Sequence, residues 1–157
     1  MDETMNIECL DSQAGENYLM MNGDCCEVIP QLPDESVDMI IYSPPFSSLY
    51  TYSDSPRDMG NCTNDGQFFE HYGYLLGELL RVLKPGRLAA VHVSDIPATI
   101  THNGYVGIRD FSGMVIRAHQ QVEPDYGPPW VFHSRCTVWK DPDTAMQRTK
   151  ALGLLWK

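Results

Sequence analysis

The sequence predicts an α/β fold, with a mostly parallel sheet covered on both faces by helices in three layers. Strand-like and helix-like segments alternate along the chain, which is typical of a parallel sheet with crossover helices. The segment 37–43, VDMIIYS, is apolar and β-branched, as expected for a strand buried on both faces. The chain has 157 residues, so we predict a single domain over 1–157.

The first elements are predicted to be a strand, a short helix and a second strand. The segment 17–24, NYLMMNGD, has a short apolar run that ends in a Gly-Asp turn. In the segment 25–36 two prolines, Pro30 and Pro33, limit any helix to a short one. The strand 37–43 comes next.

A long amphipathic helix is predicted over 64–86. Its apolar residues recur at helical spacing and form one face: Phe68, Phe69, Tyr72, Leu75, Leu76, Leu79, Leu80 and Leu83. Lys84-Pro85-Gly86 is expected to end it. The later elements are predicted to be a strand at 87–95, a helix at 105–122 capped by Asp110, a strand or hairpin arm at 130–142 and a weak helix at 144–157.

Three of the predicted strands end in polar clusters, at Gly23-Asp24, Ser43 to Phe46 and Ser94-Asp95. The carboxyl ends of parallel strands meet at one edge of a sheet, where ligands bind. We therefore expect these clusters to lie side by side and to form a site.

The tetrapeptide Ser43-Pro44-Pro45-Phe46 suits the binding of an amino group. The two prolines hold the chain extended, so the Ser43 hydroxyl and the Pro44 carbonyl can both accept hydrogen bonds from one nitrogen. Phe46 can stack on a planar ring, as for a base turned out of a duplex. The tetrapeptide alone leaves a second interpretation open, a proline-terminated strand with a core phenylalanine.

The surrounding sequence resembles the amino-group DNA methyltransferases of the beta class. The resemblance rests on MNGDCCEVIPQLPDESVDMIIYSPPF, on LLRVLKPGRLAAVHVSD and on CTVWKDP, and it extends from about Tyr18 to Pro142. It implies part of a Rossmann-like sheet in circularly permuted order. It also implies transfer of a methyl group from S-adenosyl-L-methionine to the exocyclic amino nitrogen of cytosine or adenine, with double-stranded DNA as the partner.

The resemblance assigns a role to each matching residue. Ser43 and the Pro44 carbonyl accept hydrogen bonds from the target amino group, Pro45 keeps the turn rigid, and Phe46 stacks on the flipped base. Cofactor contacts are implied for three residues: Asp24, the adjacent Cys25, and Ser43. The residues themselves leave a second interpretation of Asp24 open, a turn residue after Gly23. Asp95 accepts a proton, orients Ser43, or only caps the following turn. Serine at the first motif position favours cytosine N4 over adenine N6.

One expected feature is missing from the sequence, because it contains no Gly-x-Gly turn for the cofactor. In the beta class that turn follows the catalytic part, so the chain resembles a truncated first half, with 143–157 as the start of a target-recognition region. Activity is then expected to need a second polypeptide or a longer chain. The alternatives are an inactive remnant or a DNA-associated interaction module, and an RNA or protein methyltransferase, whose motif usually starts with Asn.

The composition limits other functions. The net charge of −10 argues against general affinity for nucleic acid, so DNA contacts must be local or supplied by a partner. Five scattered cysteines and five scattered histidines give neither a disulfide framework nor metal-ligand spacing, and no metal is expected. No apolar run or signal peptide indicates membrane insertion. We expect a cytoplasmic protein of bacterial or phage origin, paired with a restriction enzyme or not.

Overall fold

The computed structural model describes residues 7–125 and 127–139. The N-terminal part is an antiparallel hairpin of β1 (Asp11–Ala14) and β2 (Leu19–Asn22), closed by a hydrogen bond of 2.9 Å from the Gly15 N–H to the Tyr18 carbonyl. The strand predicted within 17–24 exists, but its placement in the central sheet is wrong. It pairs with β1, which the sequence analysis did not identify.

A short helix, α1 (Cys25–Val28), follows the hairpin and continues into a 3-10 turn over Ile29–Gln31. Pro30 lies in the first turn of that 3-10 segment, where its missing N–H costs no hydrogen bond. The prediction of a short, proline-limited helix is confirmed.

The central element is a parallel pair of strands, β3 (Val37–Tyr42) and β4 (Leu83–Val91), joined by the helix α2 (Asp65–Val82). The register places Met39 opposite Leu88 and Tyr42 opposite Val91. The helix passes directly into β4 at the buried Leu83, so the expected helix end at 84–86 and strand start at 87 are wrong. Gly86, at φ +76°, lets the backbone turn within this strand.

A second antiparallel pair, β5 (Ile96–Ala98) and β6 (Gly107–Arg109), follows β4, with the short helix α3 (Ile100–Asn103) between its strands. The helix α4 (Phe111–Gln120) comes next, and its N-cap Asp110 accepts the Gly113 N–H at 2.8 Å. The predicted cap is confirmed. The helix starts six residues later than the predicted 105, because 107–109 are hydrogen-bonded in β6.

The core lies on one face of β3 and β4. Helices α2 and α4 pack there through fully buried rings and branched side chains, which are Phe68, Tyr72, Leu76 and Phe111, together with Val82 and Val115. On the opposite face the apolar side chains of Met39 (53% exposed), Ile41 (73%) and Leu88 (53%) stay more than half exposed. The expected burial of 37–43 on both faces is therefore wrong for the described part of the chain.

The three pairs of strands also correct the predicted sheet. Among the described residues one pair is parallel and two are antiparallel, in separate two-stranded sheets, so a mostly parallel three-layer sheet is not what the described chain forms. The α/β character itself is confirmed by β3, α2 and β4.

The segment 130–139 is not a strand, contrary to the sequence prediction. It is tied to α2 by the Trp130 indole N–H, which donates to the Leu76 carbonyl at 3.3 Å. The segment borders an open cleft of about 1690 Å³ together with the uncovered face of β3 and β4. The predicted tail, 143–157, lies outside the described residues. No helix within 7–125 or 127–139 has the length and hydropathy that a membrane span requires.

Candidate active site at the carboxyl ends of the parallel strands

Ser43 and His92 lie side by side where β3 and β4 end. The two strands continue their pairing for one more residue, since the His92 N–H donates to the Tyr42 carbonyl at 2.9 Å. The Ser43 hydroxyl donates to the His92 carbonyl at 2.9 Å, and the His92 imidazole Nδ1 lies 3.4 Å from the same oxygen. Both side chains are exposed. The Ser43 proton is thus directed into the backbone, and the oxygen lone pairs remain available to an incoming donor.

The rest of the predicted motif packs against the core. Pro44 is buried, Pro45 and Phe46 are half-buried, and the Phe46 ring lies 6.0 Å from Phe111 and 6.4 Å from His92, measured between centroids. Phe46 is thus a core-supported ring beside the Ser43 hydroxyl. Its position is compatible with both interpretations of the tetrapeptide, a core phenylalanine and a ring that stacks on a base, since a packed aromatic ring can still present an edge or a face to a ligand.

Ser47 fixes the backbone immediately after the motif. It is buried at 1% exposure and has φ of +52°, a conformation that few non-glycine residues adopt. Its hydroxyl donates to Asp65 at 2.6 Å, and the Arg109 guanidinium pairs with the same carboxylate. The sequence does not predict this three-residue cluster, because nothing local links Ser47 to the start of α2 or to β6.

The loop after the motif is folded around Asp58. This carboxylate accepts the backbone N–H groups of Tyr52 (3.0 Å), Ser53 (2.7 Å) and Gly60 (2.8 Å). These hydrogen bonds hold the pKa of Asp58 below its usual value, and the bond from Gly60 contributes most. At Gly60 a Cβ would lie 2.3 Å from the Tyr50 carbonyl oxygen, so only glycine fits this turn. The segment that sequence analysis expected to border a base pocket is an internally bonded loop.

Asp24 and Cys25, the predicted cofactor contacts, lie at the start of α1, outside the β3–β4 sheet. The Asp24 carboxylate caps α1 by accepting the Cys26 N–H at 2.9 Å, and it pairs with Arg57 Nε at 2.9 Å. Arg57 also pairs with Glu27, which ties the loop to this helix. Cys25 is exposed. Of the three strand ends expected to lie side by side, those of β3 and β4 do so, because Ser43 contacts His92. Gly23-Asp24 follow β2, which belongs to the separate hairpin.

Asp95 follows β4 by four residues and is bonded to Ser112 at the start of α4, whose N–H it accepts at 3.0 Å. Hydrogen bonding to Ser112 lowers the pKa of Asp95. The Ser112 side chain makes the larger contribution and its backbone N–H the next. No hydrogen bond joins it to Ser43 among the described residues. The group next to Ser43 is His92, which sequence analysis interpreted as an ordinary sheet residue.

The buried Tyr72 and the half-buried Tyr42 and His119 form a network of polar rings next to the site. The Tyr42 hydroxyl lies 2.6 Å from that of Tyr72 and 3.0 Å from His119 Nε2. His119 Nδ1 lies 2.8 Å from the Val115 carbonyl, so Nδ1 carries the proton and Nε2 accepts from Tyr42. Burial lowers the pKa of His119 and raises the pKa of Tyr42 to about 12.

One group of potential metal ligands occurs among the described residues. The ligand atoms of Asp24, Cys25 and Cys26 lie within 4.8 Å of one another. Burial, followed by the neighbouring Cys25 and Asp24, raises the pKa of the Cys26 thiol to about 11. Metal binding needs the thiolate, and Asp24 is already paired with Arg57, so this group is poorly prepared to bind a cation.

Comparison with known proteins finds homology to a DNA methyltransferase over part of the chain. No family model matches. A segment of 83 residues, 53% of this chain, is 34% identical to the type II methyltransferase M.BamHI of Bacillus amyloliquefaciens, of which it covers 18%.

Solved structures of a candidate DNA modification methylase from Thermus thermophilus are also similar. Its selenomethionine derivative matches with a TM-score of 0.48 at 15% identity, over 81% of this chain and 56% of that one. The complex of that protein with S-adenosyl-L-methionine matches with a TM-score of 0.46 at 16% identity and covers 59% of its length. The chain thus spans about a fifth of the curated relative and less than two thirds of these structures.

Proposed function

We propose that the chain is the catalytic part of a DNA methyltransferase that methylates the exocyclic amino nitrogen of a flipped base, with cytosine N4 favoured over adenine N6. The observation that carries the proposal is the Ser43 hydroxyl, which donates to the His92 carbonyl and so offers only lone pairs to a ligand. The homologous segment of M.BamHI supports the same reaction class.

In this proposal the target amino group is held by acceptors and is not attacked by a nucleophile. Ser43 and the carbonyl of the buried Pro44 each accept a hydrogen bond from one N–H of the target amino group. These two bonds direct the nitrogen lone pair away from the two acceptors. Pro45 keeps these acceptors rigid, and Phe46 stacks on the base, a contact worth about 1–3 kcal/mol. Catalysis then comes from positioning and from stabilising the charge that develops on nitrogen. Asp95 contributes by holding the start of α4 through Ser112.

The proposed cofactor is S-adenosyl-L-methionine, which supplies an electrophilic methyl group when bound. The described residues match part of what it needs. Asp24 has a carboxylate that is 28% exposed and can accept from an amino or hydroxyl group, with Cys25 and Ser43 as further contacts. The one glycine at this turn, Gly23, is packed, because a Cβ there would meet Val28 at 2.8 Å. It offers no open backbone cradle for the methionine part.

The remaining part of the cofactor site is proposed to come from a further polypeptide segment, which would also read the DNA sequence. The uncovered apolar face at Met39, Ile41 and Leu88 supports this, because parallel strands are normally covered on both faces. We propose that the assembly acts on double-stranded DNA in a bacterial or phage-infected cytoplasm, alone or beside a restriction enzyme.

The decisive experiment expresses this chain with and without the coding region that adjoins its gene, and assays methylation of genomic DNA. Mass spectrometry of the digested DNA separates N4-methylcytosine from N6-methyladenine. We expect N4-methylcytosine with the combined proteins and none with the chain alone. If neither the chain alone nor the combined proteins methylate DNA, the result would favour an inactive remnant or an interaction module.

Calorimetric titration with S-adenosyl-L-methionine tests the cofactor proposal separately. We expect weak or undetectable binding to the isolated chain and micromolar binding to the combination, in the usual range for enzyme substrates. Tight binding to the isolated chain would contradict the proposal that the cofactor site is shared with a further segment.

A further inference from the structure

Among the described side chains, that of His92 lies next to Ser43, the proposed hydrogen-bond acceptor for the target amino group. Its Nδ1 is 3.4 Å from Ser43 Oγ, while its own carbonyl takes the Ser43 proton at 2.9 Å. Both groups belong to one residue. In the tautomer whose Nδ1 carries no proton, rotation of the Ser43 hydroxyl about its C–O bond redirects its hydrogen bond from the carbonyl to Nδ1.

The position of the ring also brings it to the substrate side of the site. The His92 side chain is exposed, and its ring lies 6.4 Å from that of Phe46 at an angle of 41°. A base that stacks on Phe46 with its amino group at Ser43 therefore lies in the same recess as the imidazole. The sequence alone did not indicate this, because His92 falls inside the predicted strand 87–95 and fits the alternating pattern of an ordinary sheet residue.

We infer that His92 accepts, through Ser43, the proton that the target nitrogen loses on methylation; this inference rests on the proposed function. When the nitrogen gains the methyl group, the S–C bonding pair stays on sulfur and the nitrogen holds one proton too many. The N–H bonding pair returns to nitrogen as Ser43 Oγ takes that proton. The original Ser43 proton passes to the lone pair of His92 Nδ1, and the imidazolium releases it to water.

Other ionisable groups near His92 could also affect the pH dependence. The elements and segments around it carry Tyr42, Asp65, Asp95, Arg109, His133, Arg135 and Cys136. Histidine is the side chain that most often titrates between about pH 5 and 8, so His133, on the border of the same cleft, is the matched control.

The first test measures kcat and KM against pH for the active assembly carrying His92→Asn or His133→Asn. We expect His92→Asn to lower kcat about 10- to 100-fold with KM changed less than about twofold, to remove the decline of kcat at acid pH, and to recover partly with added imidazole. His133→Asn should keep the wild-type profile. Wild-type kcat and an unchanged acid decline in His92→Asn would overturn the inference.

The second test needs no activity and uses the isolated full chain with ¹³C-labelled histidine. The ring chemical shifts of His92, followed by NMR, should change in Ser43→Ala because Nδ1 loses the hydroxyl 3.4 Å away, while those of His133 stay in place. Unchanged His92 ring shifts would overturn the proton transfer between the two residues. If the assembly transfers no methyl group but the His92 shifts change, the proposed function fails while the Ser43–His92 contact stands.

Discussion

The hydroxyl of Ser43 is the residue-scale feature on which the proposed reaction depends. Since its proton is bonded to the His92 carbonyl, Ser43→Ala removes an acceptor and leaves the backbone pairing of the two strands in place. We expect kcat to fall about 10²–10³-fold, as for loss of one preorganised polar contact, with cofactor affinity changed less than about twofold. Single-turnover methylation and calorimetry of the active assembly measure the two effects.

The control for this substitution is Ser36→Ala at the other end of β3. The Ser36 hydroxyl donates to the Pro33 carbonyl at 2.7 Å, so the variant loses a comparable bond far along the strand. It should keep full activity. Equal turnover of the Ser43 and Ser36 variants would remove Ser43 from the proposed catalytic set.

His119 makes stability depend on pH. Burial lowers its pKa in the folded state below the ordinary value of 6.5, so the unfolded chain binds a proton more readily. Its contribution is therefore complete above about pH 6.5 and is lost as the pH falls below that value. We expect the urea midpoint to drop between pH 7.5 and 5.5, and to drop less in His119→Gln, which keeps an acceptor for Tyr42. An equal drop in both proteins would show that other groups cause it.

At the scale of elements, the start of α2 is held by a side-chain cap. The Asn64 side-chain oxygen Oδ1 accepts the Gln67 N–H at 3.0 Å, and the Gln67 side-chain oxygen Oε1 accepts the Thr63 N–H at 2.9 Å. Asn64→Ala should lower the free energy of unfolding by about 1 kcal/mol, and Asn64→Asp, which keeps the cap, by much less. Urea denaturation measures both, with an unchanged slope as the check on two-state unfolding. Equal midpoints for all three proteins would contradict a role for the cap.

The elements that sequence analysis predicted correctly are those that local signals determine. The spacing of Phe68, Tyr72 and Leu76 defines the buried face of α2, and Asp110 marks the first turn of α4. The errors concern long-range pairing. The partner of β2 could not be read from its own residues, and Leu83 begins a strand because it packs in the sheet core, which overrides the apparent helix end at Lys84-Pro85-Gly86.

The candidate site shows the same division. Ser43 to Phe46 could be identified because the motif is contiguous. His92 and Ser47 could not be assigned, since their partners are 49 and 18 residues away. His92 lies inside the predicted strand 87–95, where the sequence marks it only as a sheet residue.

At the scale of the whole molecule, the charge distribution leaves little for DNA. The chain has a net charge of −10, and six of the seven arginine and lysine residues in the described part form ion pairs with carboxylates. We expect the isolated chain to show no measurable DNA binding at about 0.1 M salt, because phosphate contacts require free cations. Fluorescence anisotropy with a labelled duplex tests this. Submicromolar binding by the isolated chain would contradict it.

The two faces of the β3–β4 sheet should respond oppositely to substitution, because one is packed and the other is not. Ile40, 9% exposed, lies in the core, so Ile40→Ala should lower the free energy of unfolding by about 2–5 kcal/mol. Ile41, the next residue, is 73% exposed, so Ile41→Lys should change the stability of the isolated chain by less than about 0.5 kcal/mol. The same Ile41→Lys places a charge where we propose that a further segment packs, and it should abolish association with that segment and methylation together.

Urea midpoints measure stability, and co-purification of the tagged chain with the further segment measures association. The control is Ile108→Lys, a substitution at an exposed position in β6, which should leave association intact. Association undiminished in Ile41→Lys would place the further segment on another surface.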